Sequence, residues 1–148
     1  MRDYMDFLEE STNTVKSKTR LSKIILITSY LGIYAFSLIM FWFVIDEKDG
    51  IGYSFMFLWI LIPVTTLVIS LLIGVHDFWG RKKWIAAIIF GIMYMLSEHA
   101  TFSAANMAAF SHFNMPVWNM IPAGAVISLI GLGIGSLIRF RRASRNRA

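Results

Sequence analysis

Cysteine and charge are what this chain has least of. It contains no cysteine, and only 16% of its 148 residues are charged, whereas 57% are hydrophobic. The lack of cysteine excludes disulfides, thiolate metal sites and thiol redox chemistry. An ordinary soluble domain has about 25% charged residues, so the scarcity of charge argues against a soluble protein.

The N-terminal residues lack the pattern of a cleaved signal peptide. Residues 1–22 are polar and mixed in charge, without an apolar stretch or a small-residue cleavage site. Tyr4, Met5, Phe7 and Leu8 are interspersed there with acidic residues. This spacing favours a short amphipathic helix on the membrane surface over the alternative, a frayed tail.

The apolar residues are concentrated in four runs, residues 24–45, 51–75, 84–105 and 117–138. Each run is close to the roughly 20 residues that a helix needs to cross a hydrocarbon layer ~30 Å thick. The predicted fold class is therefore an all-α integral membrane protein. We expect a single domain over residues 1–148, a compact bundle of four transmembrane helices.

The second run contains a proline near its midpoint. Pro63 removes one backbone hydrogen bond and pushes on the preceding turn, so a kink near residues 61–63 is predicted. Thr65 and Thr66 follow it directly, and their hydroxyl groups are suited to satisfy carbonyl groups that the proline frees.

The basic residues predict the orientation of the chain. All of the 14 lysines and arginines except Lys48 precede the first run, lie between the second and third, or follow the fourth. By the positive-inside rule, both termini are cytoplasmic and the protein lies in the plasma membrane, with residues 46–50 on the outer side. The net charge of +5 then reflects topology, and nucleic acid is not an expected partner.

Residues 139–148 form a basic tail after the fourth run. Such a tail is expected to contact anionic lipid headgroups. It has no aromatic residue after Phe140, so base stacking on nucleic acid is not favoured. Its arginines are Arg139, Arg141, Arg142, Arg145 and Arg147.

Glu98 is the only acidic residue inside any of the four apolar runs. An ionisable group at membrane depth is a functional hypothesis by default. In the functional interpretation, Glu98 is a proton-binding or cation-binding carboxylate in a transport pathway. In the structural interpretation, its carboxyl group bonds Thr101 or a threonine of the second helix and only fixes packing.

Small residues form a stripe along each of the last two predicted helices. The third helix places them on one face together with Glu98 and Thr101, and the fourth includes a GxxxG pair. Because small residues let membrane helices approach closely, we expect the two stripes to pack together, within one chain or between copies. The packing residues are Gly91, Ala105, Gly124, Ser128, Gly131 and Gly135.

His99, Ser103 and Asn106 recur at i, i+4 and i+7, which predicts one polar face of the third helix, apart from Glu98. A serine and a histidine one turn apart suggest nucleophilic catalysis, but neither an orienting acid nor an oxyanion site accompanies them. We therefore expect a polar stripe that lines a helix contact or cavity. The histidine spacings match no metal motif, so neither a metal nor another cofactor is expected.

The connection at residues 107–119 is unusually apolar for a loop, with aromatic residues around His112. This composition favours an interfacial helix over a re-entrant hairpin. Pro116 and Pro122 suit the beginning of the fourth helix.

Together these features favour a small transporter or channel-like protein for a solute or ion, with Glu98, Thr101, His99, Ser103 and Asn106 along its pathway. Four helices enclose little volume, so a homo-oligomer or a larger membrane complex is expected. The alternative is a non-catalytic accessory, regulatory or immunity subunit that binds another membrane protein through the small-residue faces of helices three and four. An enzyme that modifies lipids or cleaves proteins is the third possibility.

Overall fold

The computed structural model describes residues 2–45 and 49–145, and every regular element in these ranges is helical. The four long helices are α1 (Arg2–Phe43), α2 (Gly50–His76), α3 (Gly80–Phe110) and α4 (Met120–Arg145). Each is long and apolar enough to cross a membrane. The prediction of an all-helical chain with four such helices is confirmed, whereas residues 46–48 and Arg147 lie outside the described residues.

Two helices extend further than their apolar runs. Helix α1 begins at Arg2, so residues 2–22 belong to one continuous helix with the first apolar run and do not form a separate surface helix or a frayed tail. Helix α4 continues to Arg145, through most of the predicted basic tail. Residues 2–23 and 136–145 contain neither proline nor glycine, so a helix nucleated in the apolar part propagates through them.

The connection between α3 and α4 is not an interfacial helix. Helix α3 ends at Phe110, Ser111 follows in the left-handed region with φ 50°, and residues 111–117 have no regular structure. A serine in that conformation ends the helix. Pro116 was expected to begin the fourth helix, but it lies in the irregular segment, four residues before Met120. Pro122 lies in the first turn of α4, as predicted, where a missing N–H leaves no bond unmade.

Helix α4 packs against both α2 and α3 through its glycines. Gly124 lies directly on Gly91 and Tyr94 of α3, where an added Cβ would come within 2.7 Å of the Tyr94 Cβ. Gly131 faces α2 instead, and a Cβ there would meet the Leu67 carbonyl oxygen at 2.5 Å. The close contact of α3 with α4 at Gly91 and Gly124 therefore exists, but it covers only the first part of the α4 stripe.

The remainder of the α4 stripe packs on α2, which corrects the expectation that it meets helix three. Gly135 lies against Gly74, Leu71 and Val75, so the GxxxG pair serves the contact between α2 and α4. Ser128 and Ser70 are fully buried between the same two helices, and their hydroxyl oxygens are 2.7 Å apart. Gly131 meets Leu67 and Gly135 meets Leu71, so α2 and α4 run parallel. The two glycines are four residues apart, which places both on the face of α4 that contacts α2.

Helix α1 lies at the edge of the bundle. Its spanning part is the least buried of the four, with 17% of the residues in its most apolar window buried, against 28% to 44% in the others. Tyr30 is its main anchor near the middle, and the Tyr30 ring packs edge-on to Phe90 of α3 at 4.7 Å. The α1 helix thus shields one side of α2 and α3 without glycine contacts.

An ion-paired cluster holds the end of the bundle that carries Lys23, the turn 77–84 and Arg139, which we call the basic end. Asp77 ends α2 in the left-handed conformation, and its carboxylate contacts both Lys83, at 3.0 Å, and Arg139 of α4. Lys83 also donates a hydrogen bond to Ser136 at 2.9 Å. The turn between α2 and α3 is thereby tied to α4.

Candidate functional site

Two π-helical segments lie at the opposite end of the bundle, which we call the Glu98 end. They are Ser54–Leu61 in α2 and His99–Ser103 in α3, directly after Glu98. The backbone N–H of Ala104 donates to the carbonyl of His99, five residues earlier. Such π turns are rare in proteins, and those that occur are often found at functional sites. In α2 the π segment ends just before Pro63, so the helix is irregular where the proline predicts it.

Glu98 is half-buried, and its carboxylate accepts a hydrogen bond from Ser103. The Ser103 Oγ lies 3.1 Å from one carboxylate oxygen and 3.2 Å from the other. Residues i and i+5 do not align in an α-helix, but the wider π turn brings them together. The prediction placed Ser103 on a face apart from Glu98, and the hydrogen bond between the two side chains shows that this part of it is wrong.

Thr101 does not contact the Glu98 carboxylate. Its side chain is fully buried, and its hydroxyl group donates to the backbone carbonyls of Ser97, at 2.8 Å, and Glu98, at 3.1 Å. These are bonds to the preceding turn of its own helix, of a kind that serine and threonine commonly make. The structural interpretation of Glu98 named the wrong partner, since Ser103 takes the place expected of Thr101.

The other predicted pathway residues are dispersed around α3. His99 is half-buried, and its Nδ1 atom is shielded from solvent without a hydrogen-bond partner. Asn106 is exposed and Ala105 is half-buried, both beyond the π turn. Ser103 alone among the predicted residues bonds the Glu98 carboxylate, and the buried Nδ1 atom without a partner belongs to the next residue, His99.

Helix α1 closes one side of this site. The Trp42 indole N–H donates to the carbonyl of Ala100 at 3.0 Å, within the π turn. The ring of Phe41 packs on Phe102 at 5.1 Å and on Tyr53 of α2 at 4.9 Å. An aromatic cluster of three helices therefore clamps the π turn of α3 from the side of α1 and α2.

Helix α2 borders the site through its own π segment. The Tyr94 hydroxyl group of α3 donates to the Leu58 carbonyl at 3.1 Å, and the Tyr53 hydroxyl group bonds Ser37 of α1. Thr65 donates to the Leu61 carbonyl at 2.7 Å, as expected of a threonine beside Pro63. The buried Thr66 hydroxyl group bonds no backbone carbonyl, so only one of the two threonines has the expected role.

Helix α4 does not reach Glu98. Glu98 lies about two turns beyond Gly91, whereas the antiparallel α4 begins at Met120, about one turn before Gly124. The site is consequently walled by α1 and α2, and not by the contact of α3 with α4.

No group of three or more histidines, cysteines or carboxylates gathers within the described ranges at a separation that would hold a metal ion. Glu98 and Ser103 provide oxygen atoms, and His99 provides one nitrogen. A carboxylate with a hydroxyl neighbour can exchange a proton or hold a monovalent cation, and it needs no further protein ligand for the first of these.

Three contacts were missed by reasoning from sequence. The ion pairs of Asp77 with Lys83 and Arg139 were not predicted, although an acid followed closely by a run of basic residues is a signal for an ion pair. The Ser70 to Ser128 bond had a weaker signal, since Ser70 is one of several hydroxyl-bearing residues in the second apolar run and Ser128 lies near the middle of the fourth. The bond of Trp42 to Ala100 had none, because it depends on a carbonyl that the π turn frees.

Comparison with protein-family models, curated proteins and solved structures finds no match to this chain. The function is therefore argued from the geometry of the Glu98 end.

Proposed function

We propose that this chain is a small multi-pass membrane protein that moves a small solute or ion, with Glu98 as the group that binds a proton or cation. The observation that carries the proposal is the unit of Glu98 and Ser103 in the α3 π turn. A carboxylate within a spanning helix is costly, and such residues usually mark ion or proton pathways. Its hydroxyl partner can stabilise the charged state and reorient when the carboxyl group is protonated.

The surroundings of Glu98 support exchange over a purely structural role. A packing carboxyl group would be expected to bond across a helix contact, whereas both Glu98 bonds are to Ser103 of its own helix. The carboxylate is only half-buried, so an ion can approach it. Approach between α3 and α4 is blocked by the contact of Gly91 with Gly124, so the pathway we propose follows the α1 and α2 side.

One chain is too small to enclose that pathway by itself. Helix α1 is lightly packed, and the described contacts place aromatic rings, not a cavity, between α1 and the π turn. We therefore propose that the working unit is an oligomer, in which a second copy completes the wall beside α1. The orientation we propose has both termini in the cytoplasm of a bacterial-type plasma membrane.

The test is ion flux into proteoliposomes loaded with a pH-sensitive dye, with a potassium gradient and valinomycin to set the membrane potential. We expect the unmodified protein to carry protons into the liposomes, with influx that external sodium or potassium can inhibit by competing for Glu98. Both the influx and this inhibition should be lost in Glu98→Gln. The Asp77→Asn variant is the control, because it removes a carboxylate at the other end of the bundle. Equal flux in Glu98→Gln and the unmodified protein would refute the role of Glu98.

An accessory subunit is the second candidate, and the exposed α1 helix favours it. The small-residue stripe of α4, which was predicted to bind a partner, packs within the chain, since Gly124, Gly131 and Gly135 contact α3 and α2. A partner would instead dock on α1, whose Gly32 has no atom within 4 Å of its Cβ position. Loss of a co-purifying membrane protein in Gly32→Leu, with flux absent in all variants, would favour this candidate over transport.

A further inference from the structure

The basic end carries positive charge that its ion pairs leave uncompensated. Three segments meet there, residues 16–23 of α1, the turn 77–84 and residues 139–145 of α4. Asp77 is the only acidic residue in these segments, and it contacts Lys83 and Arg139. The lysines and arginines of residues 16–20, 81–82 and 141–145 have exposed side chains.

These exposed cations lie at a common level along the bundle. Lys23 is 5.7 Å from the ring centre of Trp79, which fixes the height of α1 relative to the turn. Residues 16–20 then lie within about 10 Å of that level, and residues 141–145 within about 9 Å of Arg139. The cations are therefore spread over a layer about 10 Å deep, somewhat deeper than the headgroup region of one leaflet, ~5–8 Å.

We propose that this layer binds anionic phospholipid headgroups in preference to zwitterionic ones, through phosphate contacts to the cations of all three segments. The cations belong to three separate segments at the same end of the bundle, which suits a planar lipid surface better than a single nucleic-acid strand or protein face. Trp79 and Trp84 lie at the inner edge of the layer, where tryptophan is enriched in membrane proteins.

The ion pairs divide the arginines of α4 into two groups. Arg139 is held by Asp77, so it contributes little to lipid binding although its side chain is 52% exposed. Arg141, Arg142 and Arg145 have no acidic residue near them in the three segments, so their charge is available to lipid. The lipid contact expected of the whole basic tail is thereby assigned to its outer part, together with Arg81 and Lys82.

The experiment compares spin-labelled phosphatidylglycerol with spin-labelled phosphatidylcholine in vesicles that contain the full-length protein. The motionally restricted fraction gives the relative affinity for the two lipids. We expect the unmodified protein to prefer phosphatidylglycerol severalfold at low salt, and the preference to disappear in 1 M salt because of screening. Removing one cation near the surface changes such an affinity by up to roughly fivefold.

Two sets of variants and one control make the assignment specific. The Arg141→Gln/Arg142→Gln/Arg145→Gln and Arg81→Gln/Lys82→Gln variants should each lower the preference at least about threefold, whereas Arg139→Gln should change it less. Gel filtration in detergent checks that each variant is folded. A ratio near one for the unmodified protein, a ratio unchanged in both variants, or an equal loss in Arg139→Gln would overturn the proposal. So would oligonucleotide binding that excess phosphatidylglycerol does not displace.

Discussion

At the basic end the helices meet through glycines and ion pairs, whereas at the Glu98 end they meet through aromatic rings and π-helical turns. Gly74, Gly131 and Gly135 bring the backbones of α2 and α4 into direct contact. Around Glu98 the helices are kept apart by Phe41, Tyr53 and Phe102, and α4 is absent. The close backbone contact at the basic end leaves no room for the helices to rearrange. The Glu98 end has the wider helical turns and unused polar atoms that binding requires.

The comparison teaches that close packing and chemistry are separated along the length of α3. Gly91 serves packing, and Glu98, about two turns further, serves the proposed exchange. If this division is right, substitutions at the basic end should change stability and leave flux per folded protein intact. Substitutions around Glu98 should change the flux per folded protein and leave stability nearly intact.

The largest expected effect is that of Gly135→Leu. Its side chain would overlap the backbone of α2 at Leu71 and Gly74, so we expect a loss of stability of about 3 kcal/mol or failure to fold. The matched control is Gly133→Leu in the same helix, because Gly133 has no atom within 4 Å of its Cβ position. Thermal aggregation in detergent measures both, and equal melting of the two variants would contradict the glycine contact.

The next effect concerns the buried pair of Ser70 and Ser128. Either alanine substitution leaves one hydroxyl group buried without its partner, which we expect to cost about 1–3 kcal/mol. The double variant removes both groups and should be less destabilised than the sum of the single variants. A double-mutant cycle on unfolding in detergent gives the coupling, and strict additivity would show that the bond contributes nothing.

A smaller effect is expected from Asp77→Asn, which removes the charge but keeps a residue that tolerates the left-handed conformation. The hydrogen bond from Lys83, helped by the charge of Arg139, lowers the pKa of Asp77 from its ordinary 3.8, despite partial burial. The charged form is thus favoured by folding, and its stabilising contribution is present above pH 3.8 and is lost as the pH falls through the lowered pKa.

Near neutral pH we expect the free energy of unfolding of the unmodified protein to be about 1 kcal/mol higher than that of Asp77→Asn. The difference is this small because water screens the half-exposed Arg139. Unfolding measured as a function of pH should show this difference shrinking only below pH 3.8. If the difference in free energy of unfolding between the two proteins instead grew on acidification, the ion pair would not be its cause.

The smallest effect on stability is expected for Ser103→Ala, about 1 kcal/mol or less, because Glu98 remains partly accessible to water. Its effect on exchange should be larger, since the hydroxyl group that donates to the Glu98 carboxylate is lost. Flux assays and melting curves on the same preparation of Ser103→Ala compare its effect on exchange with its effect on stability. Ser97→Ala is the control, because the Ser97 hydroxyl group bonds only the Tyr94 carbonyl.

The number and type of the helices could be predicted from the apolar runs, because span length and composition are local properties. Which stripe meets which helix could not, since Gly131 and Gly135 would fit α3 as well as α2 in sequence. The unit of Glu98 and Ser103 was hidden by the assumption of a regular α-helix. A π turn changes the register by one residue, and the composition of residues 99–103 carries no signal for it.

The account rests on Glu98 exchanging a proton or cation, and infrared difference spectroscopy observes that carboxyl group directly. Reconstituted protein is perfused with buffers that differ in pH, with and without sodium or potassium. We predict a reversible carboxyl band that is missing in Glu98→Gln, is shifted in frequency in Ser103→Ala, and moves its pH midpoint when the cation concentration changes. A band for Glu98 that does not respond to either pH or cations would contradict the account.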